Sequence, residues 1–182
     1  MRALGPGSVS SLLKVGLDLV YFVSWIILAG LILGTFIAIV VIPLIPPGEL
    51  ELNINGRTDP ETVRRFIRGP AIPLLGAAFS ANVALFVVIL GRLRHIFATL
   101  TRGDPFQPLN VSRLRVIGIA LIGLEVWNIC FPMLLSRLVP GELGENERGF
   151  SLTGVFSILV VFVLAEVFRE GARLRREAEL TI

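Results

Sequence analysis

Residues 149–182 read GFSLTGVFSILVVFVLAEVFREGARLRREAELTI, and this stretch decides the fold. Its first half is apolar enough to enter a bilayer, and no helix breaker separates it from the densely charged second half. The 17 uncharged residues between Arg148 and Glu166 span about 26 Å as a helix, slightly less than the roughly 30 Å hydrocarbon core. The sequence therefore predicts one helix that crosses a membrane and continues as a polar stalk (residues 166–182).

The rest of the chain has the composition of a membrane protein. Of its 182 residues, 54% are hydrophobic and 17% charged, with a mean hydropathy of +0.80; soluble domains have about 25% charged residues. Three further apolar runs precede the last one. We predict an all-α membrane protein, a single four-helix transmembrane bundle over residues 1–182, with helices at about 12–45, 70–98, 110–138 and 150–180.

The Lys and Arg residues indicate the orientation. Eleven of the 17 fall near the two termini and in the 92–115 connection, and six fall in the other connections. Cytoplasmic flanks of membrane helices carry the excess of basic residues. Both termini are therefore predicted to be cytoplasmic, with a short external segment between the first two helices.

The common catalytic and cofactor motifs are absent. His95, the sole histidine, lies among arginines at the end of an apolar run, where a solvated side chain is favoured over a member of a Ser-His-Asp triad. No Gly-rich phosphate loop, H-E-x-x-H or Cys-x-x-Cys occurs. Cys130 is the sole cysteine and lies in an apolar run. We predict no enzyme activity, no cofactor and no metal. The net charge of +3 fits membrane orientation better than direct nucleic-acid binding.

The polar residues inside the third apolar run are the first candidates for function. Glu125 lies ten residues after Arg115, about 15 Å deep, and Asn128 follows one turn later. An intramembrane carboxylate is by default a functional-site hypothesis. The alternative is structural: a protonated Glu125 hydrogen-bonds to a neighbouring helix, for example near Asn82. The sequence leaves both interpretations open.

The first helix carries two features that predict contacts. Gly30 and Gly34 form a G-x-x-x-G step, which allows close approach of another helix. Packing inside the bundle is the favoured interpretation, and a homo-oligomer is the alternative. Asp18 follows Lys14 by four residues, and we expect these two residues to pair at the membrane boundary.

Two stretches resemble signatures of the bacterial DUF2975 family of small membrane proteins. They are GDPFQPLNVSRLRVIG at residues 103–118 and LAEVFREGARLRREAELTI at residues 164–182. The positions that match the two signatures are Pro105, Phe106, Asn110, Arg113, Leu114, Arg115, Glu166, Phe168, Gly171, Leu174, Glu179, Leu180 and Thr181. The tail departs from the pattern, since REAEL stands where an acidic residue and a glutamine are expected before Glu-Leu.

The resemblance implies a bacterial inner-membrane protein without an established activity. Members of the family look paired with a small helix-turn-helix regulator of the Xre type. We therefore predict a non-enzymatic multi-pass protein that signals to, or tethers, such a cytoplasmic partner. The alternatives are a small transporter or proton-linked carrier using Glu125, and a protein whose clustered arginines bind anionic lipid.

The two signatures are expected to form one surface. Asn110 is expected to cap the third helix, and Phe106 of the same signature is a further candidate interaction residue. Arg113 or Arg115 is expected to meet an acidic residue of the last helix, foremost Glu166. In the alternative arrangement, Arg169 neutralises Glu166 on its own helix and leaves the two arginines for lipid or a partner.

Overall fold

The computed structural model describes residues 9–45, 68–138 and 151–180. These residues form four helices: α1 (Val9–Val41), α2 (Ala71–Thr101), α3 (Pro108–Leu138) and α4 (Leu152–Leu180). No strand occurs in the described ranges. All four helices are long and apolar enough to cross a membrane, which confirms the predicted all-α transmembrane fold. The predicted external segment between α1 and α2 lies largely outside the described residues.

Prolines account for two of the helix ends. α1 gives way to a short 3₁₀ turn, Ile42–Leu44, because Pro43 lacks the N–H that continues a helix and its ring clashes with the preceding turn. α3 begins at Pro108, two residues earlier than predicted, since proline is well suited to the first helical position. Pro132 lies inside α3, and the helix continues through it.

The apolar residues of the helices lie largely on the molecular surface. On α1, the side chains of Phe22, Ile26, Leu33 and Phe36 are each more than half exposed. Apolar patches of this extent are unfavourable in water and mark a lipid or protein contact. Together with the lengths of the helices, this identifies the chain as a multi-pass membrane protein.

The described residues fall into two compact units. The first comprises residues 9–25, 84–126 and 151–180. Its core is formed by Ile96 of α2, Leu114 and Ile117 of α3 and Ala165 of α4, all buried. Gly118 permits close packing here, because a Cβ at that position would lie 2.8 Å from Cε2 of Phe162.

In the first unit, α1 is joined to α2 by an ion pair. Nε of Arg94 lies 2.5 Å from Oδ1 of Asp18, and the same guanidinium lies over the ring of Tyr21 at 5.3 Å from its centroid. The expected pairing of Asp18 with Lys14 is therefore wrong. The order Lys then Asp is the less favourable one for an i,i+4 pair, and Arg94 gains the aromatic contact as well.

The second unit comprises residues 26–45, 68–83 and 127–138. Thr35 of α1 packs against Gly76 of α2, where a Cβ would overlap the threonine side chain. No described atom comes within 4 Å of a Cβ built on Gly30 or Gly34. The expectation that the G-x-x-x-G step packs inside the bundle is thus wrong for the described residues.

Candidate functional site

The loop of residues 102–107 begins with a turn that terminates α2. Gly103 has a φ of +79°, which glycine adopts without strain. Its N–H donates to the carbonyl of Leu100 at 3.1 Å, and the Asp104 N–H donates to the carbonyl of Thr99 at 3.1 Å. These two bonds form a Schellman motif. The motif fixes the direction in which loop 102–107 leaves the helix.

Asn110 holds this loop to both helices. Its side chain is fully buried, and Nδ2 donates to Oγ1 of Thr99 at 2.7 Å and to the carbonyl of Pro105 at 2.9 Å. Its Oδ1 accepts from Nη1 of Arg113 at 2.8 Å. The expected capping role is wrong, because α3 already begins at Pro108. Asn110 instead connects the end of α2, loop 102–107 and the first turns of α3.

Arg113 points back toward α2. Its Nη1 donates to the carbonyl of His95 at 3.3 Å as well as to Asn110. The expectation that Arg113 meets an acidic residue of the last helix is therefore wrong. A cation in the first turns of a helix needs compensating negative charge, and carbonyl and amide oxygens supply it here. Sequence reasoning considered only carboxylates.

The acidic residues of the stalk pair with arginines of their own helix. Oε2 of Glu166 lies 2.8 Å from Nε of Arg169, and Oε1 of Glu170 lies 2.7 Å from Nη2 of Arg173. All four side chains are more than half exposed. Such i,i+3 pairs contribute about 0.2–0.5 kcal/mol each. The predicted pairing of Glu166 with Arg113 or Arg115 is wrong, and the alternative through Arg169 is confirmed.

Loop 102–107 still contacts α4, but with the charges the other way round. Asp104 of the loop forms an ion pair with Arg175 of the stalk. Nε of Arg175 also donates to Oε1 of Glu179 at 2.9 Å. Sequence reasoning missed both residues of this loop–stalk pair. The available signal was that Asp104 is the one acidic residue between Arg92 and Arg115.

An aromatic contact joins the two signatures at the same place. The rings of Phe106 and Phe168 lie 5.7 Å apart, centroid to centroid. Phe106 also rests on Gly171, where a Cβ would overlap its ring. Glycine costs about 1 kcal/mol relative to alanine inside a helix. The close approach of Phe106 explains why this position in α4 is glycine.

Glu125 completes the N-terminal end of α4. Its side chain is buried, and Oε1 accepts the N–H of Ser151 at 2.8 Å. Oγ of Ser151 in turn accepts the N–H of Gly154 at 3.1 Å. A Cβ at Gly154 would overlap the Glu125 carboxylate. The partner of Glu125 is thus the backbone N–H of Ser151, immediately before α4, rather than Asn82.

This end of α4 needs such a partner because of its position. The uncharged helical part of α4, from Leu152 to Ala165, is 14 residues long. It spans about 21 Å, which is shorter than the roughly 30 Å hydrocarbon core. Free N–H groups at a helix end within hydrocarbon are costly, and Glu125 and Ser151 satisfy two of them.

Asn128, the other predicted intramembrane residue, belongs to the second unit. Its side chain is half-buried, and no described residue forms a hydrogen bond with it.

An open groove of about 580 Å³ runs between the first turns of α3 and the stalk. It is lined by Pro108, Val111, Arg115, Arg169, Glu170, Ala172, Arg173, Arg176, Glu177 and Leu180. Among the described residues, neither Arg115 nor Arg176 has an acidic partner. The residues that the structure describes contain no cluster of three or more His, Cys, Asp or Glu side chains that could bind a metal ion.

The model of a family described as Protein of unknown function (DUF2975) matches residues 58–182, well over half of the chain. The chain belongs to the DUF2975 family. No curated protein and no solved structure is found to match it. In this DUF2975 protein, the two signature stretches meet through Phe106, Phe168 and Gly171.

Proposed function

We propose that this DUF2975 protein is a non-enzymatic protein of the bacterial inner membrane that holds a cytoplasmic partner on its stalk. The partner that the family resemblance implies is a helix-turn-helix regulator of the Xre type. In this proposal both termini and loop 102–107 face the cytoplasm, as the distribution of Lys and Arg favours. The alternative remains a proton-linked carrier that uses the buried Glu125.

The proposal rests on one observation, which is that the stalk is held on one side and exposed on the others. α4 continues as a helix to Leu180, well past its last buried apolar residue, Ala165. Asp104 and Phe106 of loop 102–107 hold one side of it. A helix fixed in direction on one side and exposed on the others is suited to hold a partner, because little conformational entropy is lost on binding.

The side of the stalk offered to the partner is partly apolar. Leu174 is 54% exposed and Ala178 is also exposed. At 100° per residue, Leu174 lies about 160° around the helix axis from Arg176 and about 40° from Glu170, next to the groove rather than within it. An amphipathic partner helix could lay its apolar face against this stripe.

Co-purification tests the proposal. The full chain and the regulator are produced together, the membranes are solubilised, and the regulator retained on the tagged membrane protein is measured. We expect Leu174→Glu, or removal of residues 173–182, to abolish retention. Leu109→Glu is the matched control, since Leu109 is 57% exposed on α3. Retention that is unchanged by Leu174→Glu and by the deletion would contradict the proposal.

A further inference from the structure

The groove between α3 and the stalk is lined by arginines that take no part in the proposed protein contact. We propose that it binds the phosphate group of an anionic phospholipid from the membrane that the helices cross. α3 contributes Arg115, and α4 contributes Arg169, Arg173 and Arg176. The proposal does not rest on the proposed function, because neither Leu174 nor Ala178 of the partner stripe lines the groove.

The charge balance of the groove favours an anion. Glu170 and Glu177, the two acids that line it, both pair with Arg173, at 2.7 and 3.5 Å. Arg115 and Arg176 are exposed and have no acidic partner among the described residues. The four arginines thus exceed the acids Glu166, Glu170 and Glu177 by one charge, and the unpaired guanidinium groups are those of Arg115 and Arg176. A phosphate accepts two parallel hydrogen bonds from a guanidinium, which makes arginine the side chain best suited to bind it.

The level of the groove along the helices selects a lipid as the source of the phosphate. Arg115 is the last charged residue of α3 before the uncharged run 116–124. On α4, Arg169 comes four residues after Ala165, which ends its uncharged part. The groove thus begins where the apolar surface of both helices ends, at the height of lipid head groups. Clustered basic residues at this height attract anionic lipid.

The non-arginine walls suit a head group rather than a free ion. Pro108, Val111 and Leu180 line the groove beyond Arg115 and Arg169, on the side away from the uncharged runs, so they would face a lipid head group rather than acyl carbons. Pro108 and Val111 also lie in the first turn of α3, whose helix dipole adds positive potential at that end. A free phosphate ion would leave the apolar surface of Pro108, Val111 and Leu180 uncovered.

Native mass spectrometry of the purified full chain in non-ionic detergent tests the proposal. The protein is titrated with phosphatidylglycerol, with phosphatidylcholine of the same acyl chains, or with inorganic phosphate, and the bound molecules are counted. We expect phosphatidylglycerol to bind at least about 10-fold more tightly than phosphatidylcholine. The Arg115→Gln/Arg176→Gln double variant should bind phosphatidylglycerol roughly 30-fold more weakly than the native chain.

The matched control is Arg92→Gln/Arg102→Gln. It removes the same charge from two exposed arginines that lie outside the groove and have no acidic partner in the described residues. This variant should keep its lipid. If the glutamine variant of the groove does not fold, Arg115→Lys/Arg176→Lys replaces it, with a smaller loss expected because a lysine lacks the bidentate fork.

Four outcomes would overturn the proposal. Equal loss in the control variant means that charge anywhere on this side suffices. Equal binding of phosphatidylcholine means that the contact is apolar. Displacement of phosphatidylglycerol by millimolar inorganic phosphate assigns the groove to a soluble anion. If the groove variant keeps its lipid but loses the co-purified regulator, the groove is a protein site.

Discussion

Phe106 of loop 102–107 rests on Gly171 of α4, so closely that a Cβ on the glycine would overlap its ring. Both residues belong to stretches that carry the family resemblance. The contact therefore explains two signature positions by one packing requirement, which is that the loop lies flat against the stalk. It also predicts which substitutions should separate the loop from the stalk.

Gly171→Ala should destabilise the loop–stalk contact. The added methyl group forces Phe106 or α4 to move, and overpacking of this kind costs about 1–3 kcal/mol. Gly34→Ala is the matched control, since nothing described lies within 4 Å of a Cβ there. The measurement is the thermal midpoint in detergent. Adding Phe106→Leu to Gly171→Ala should recover part of the loss. An equal midpoint for Gly171→Ala and Gly34→Ala would disprove the close contact.

Asp104 and Arg175 should behave as a charge pair that can be reversed. Asp104→Arg places two cations together and lowers the thermal midpoint, and Arg175→Asp added to it restores part of the loss. Raising the salt concentration should shrink both effects, because both side chains are about half exposed. The comparison pair is Glu166→Arg with Arg113→Glu, for which we expect no recovery. Recovery in that pair alone would support the pairing of Glu166 with Arg113 that the sequence predicted.

The four helices could be predicted from the sequence because each depends on a property of one continuous stretch. The uncharged run before Glu166 shows a membrane-spanning helix whatever its neighbours do. The pairing of Glu166 with Arg169 could be predicted for the same reason, since the two residues lie about one turn apart on the same helix.

The contacts between helices could not be predicted, because they depend on register. The pairing of Asp104 with Arg175 requires the turn at Gly103 to set the course of the loop. The hydrogen bond from Ser151 to Glu125 requires α4 to begin where it does. Basic and acidic residues are numerous on both elements, so several pairings satisfy the sequence equally well.

Asn110 should be among the most sensitive polar positions of the first unit. Asn110→Ala removes three hydrogen bonds from a fully buried site and leaves Oγ1 of Thr99 and the Pro105 carbonyl without that donor. We expect a loss of about 1–3 kcal/mol in the free energy of unfolding. Asn128→Ala is the matched control, because that half-buried side chain has no described partner, and it should be close to neutral. Similar losses in the two variants would refute the proposed role of Asn110.

The orientation can be measured in intact cells. In a Cys130→Ser background, a single cysteine replaces either Asn55 or Gln107, and a membrane-impermeant thiol reagent is applied. The charge asymmetry predicts labelling at position 55 and none at position 107 until the cells are opened. Labelling of both positions, or of position 107 alone, in intact cells would contradict the predicted orientation.

Glu125 should tolerate an amide better than a truncation. Glu125→Gln keeps a carbonyl oxygen that can accept the N–H of Ser151, whereas Glu125→Ala leaves that partly buried N–H unpaired. We expect Glu125→Ala to lower the free energy of unfolding by about 1–3 kcal/mol, and Glu125→Gln to stay close to the native value. Gly154→Ala should also destabilise the chain, since the new methyl group overlaps the carboxylate. In the double variant Glu125→Ala/Gly154→Ala the methyl group has room, so the second substitution should cost little.

The same variants separate the structural role of Glu125 from the carrier alternative. The native chain and Glu125→Gln are reconstituted into vesicles with a pH gradient, and proton flux is followed with an internal dye. A structural Glu125 predicts no flux above empty vesicles for either chain. Flux in the native chain that Glu125→Gln abolishes, with stability unchanged, would establish the carrier. If Glu125→Gln is instead as unstable as Glu125→Ala, an uncharged acceptor is insufficient, and the negative charge itself is needed at the positive end of the α4 dipole.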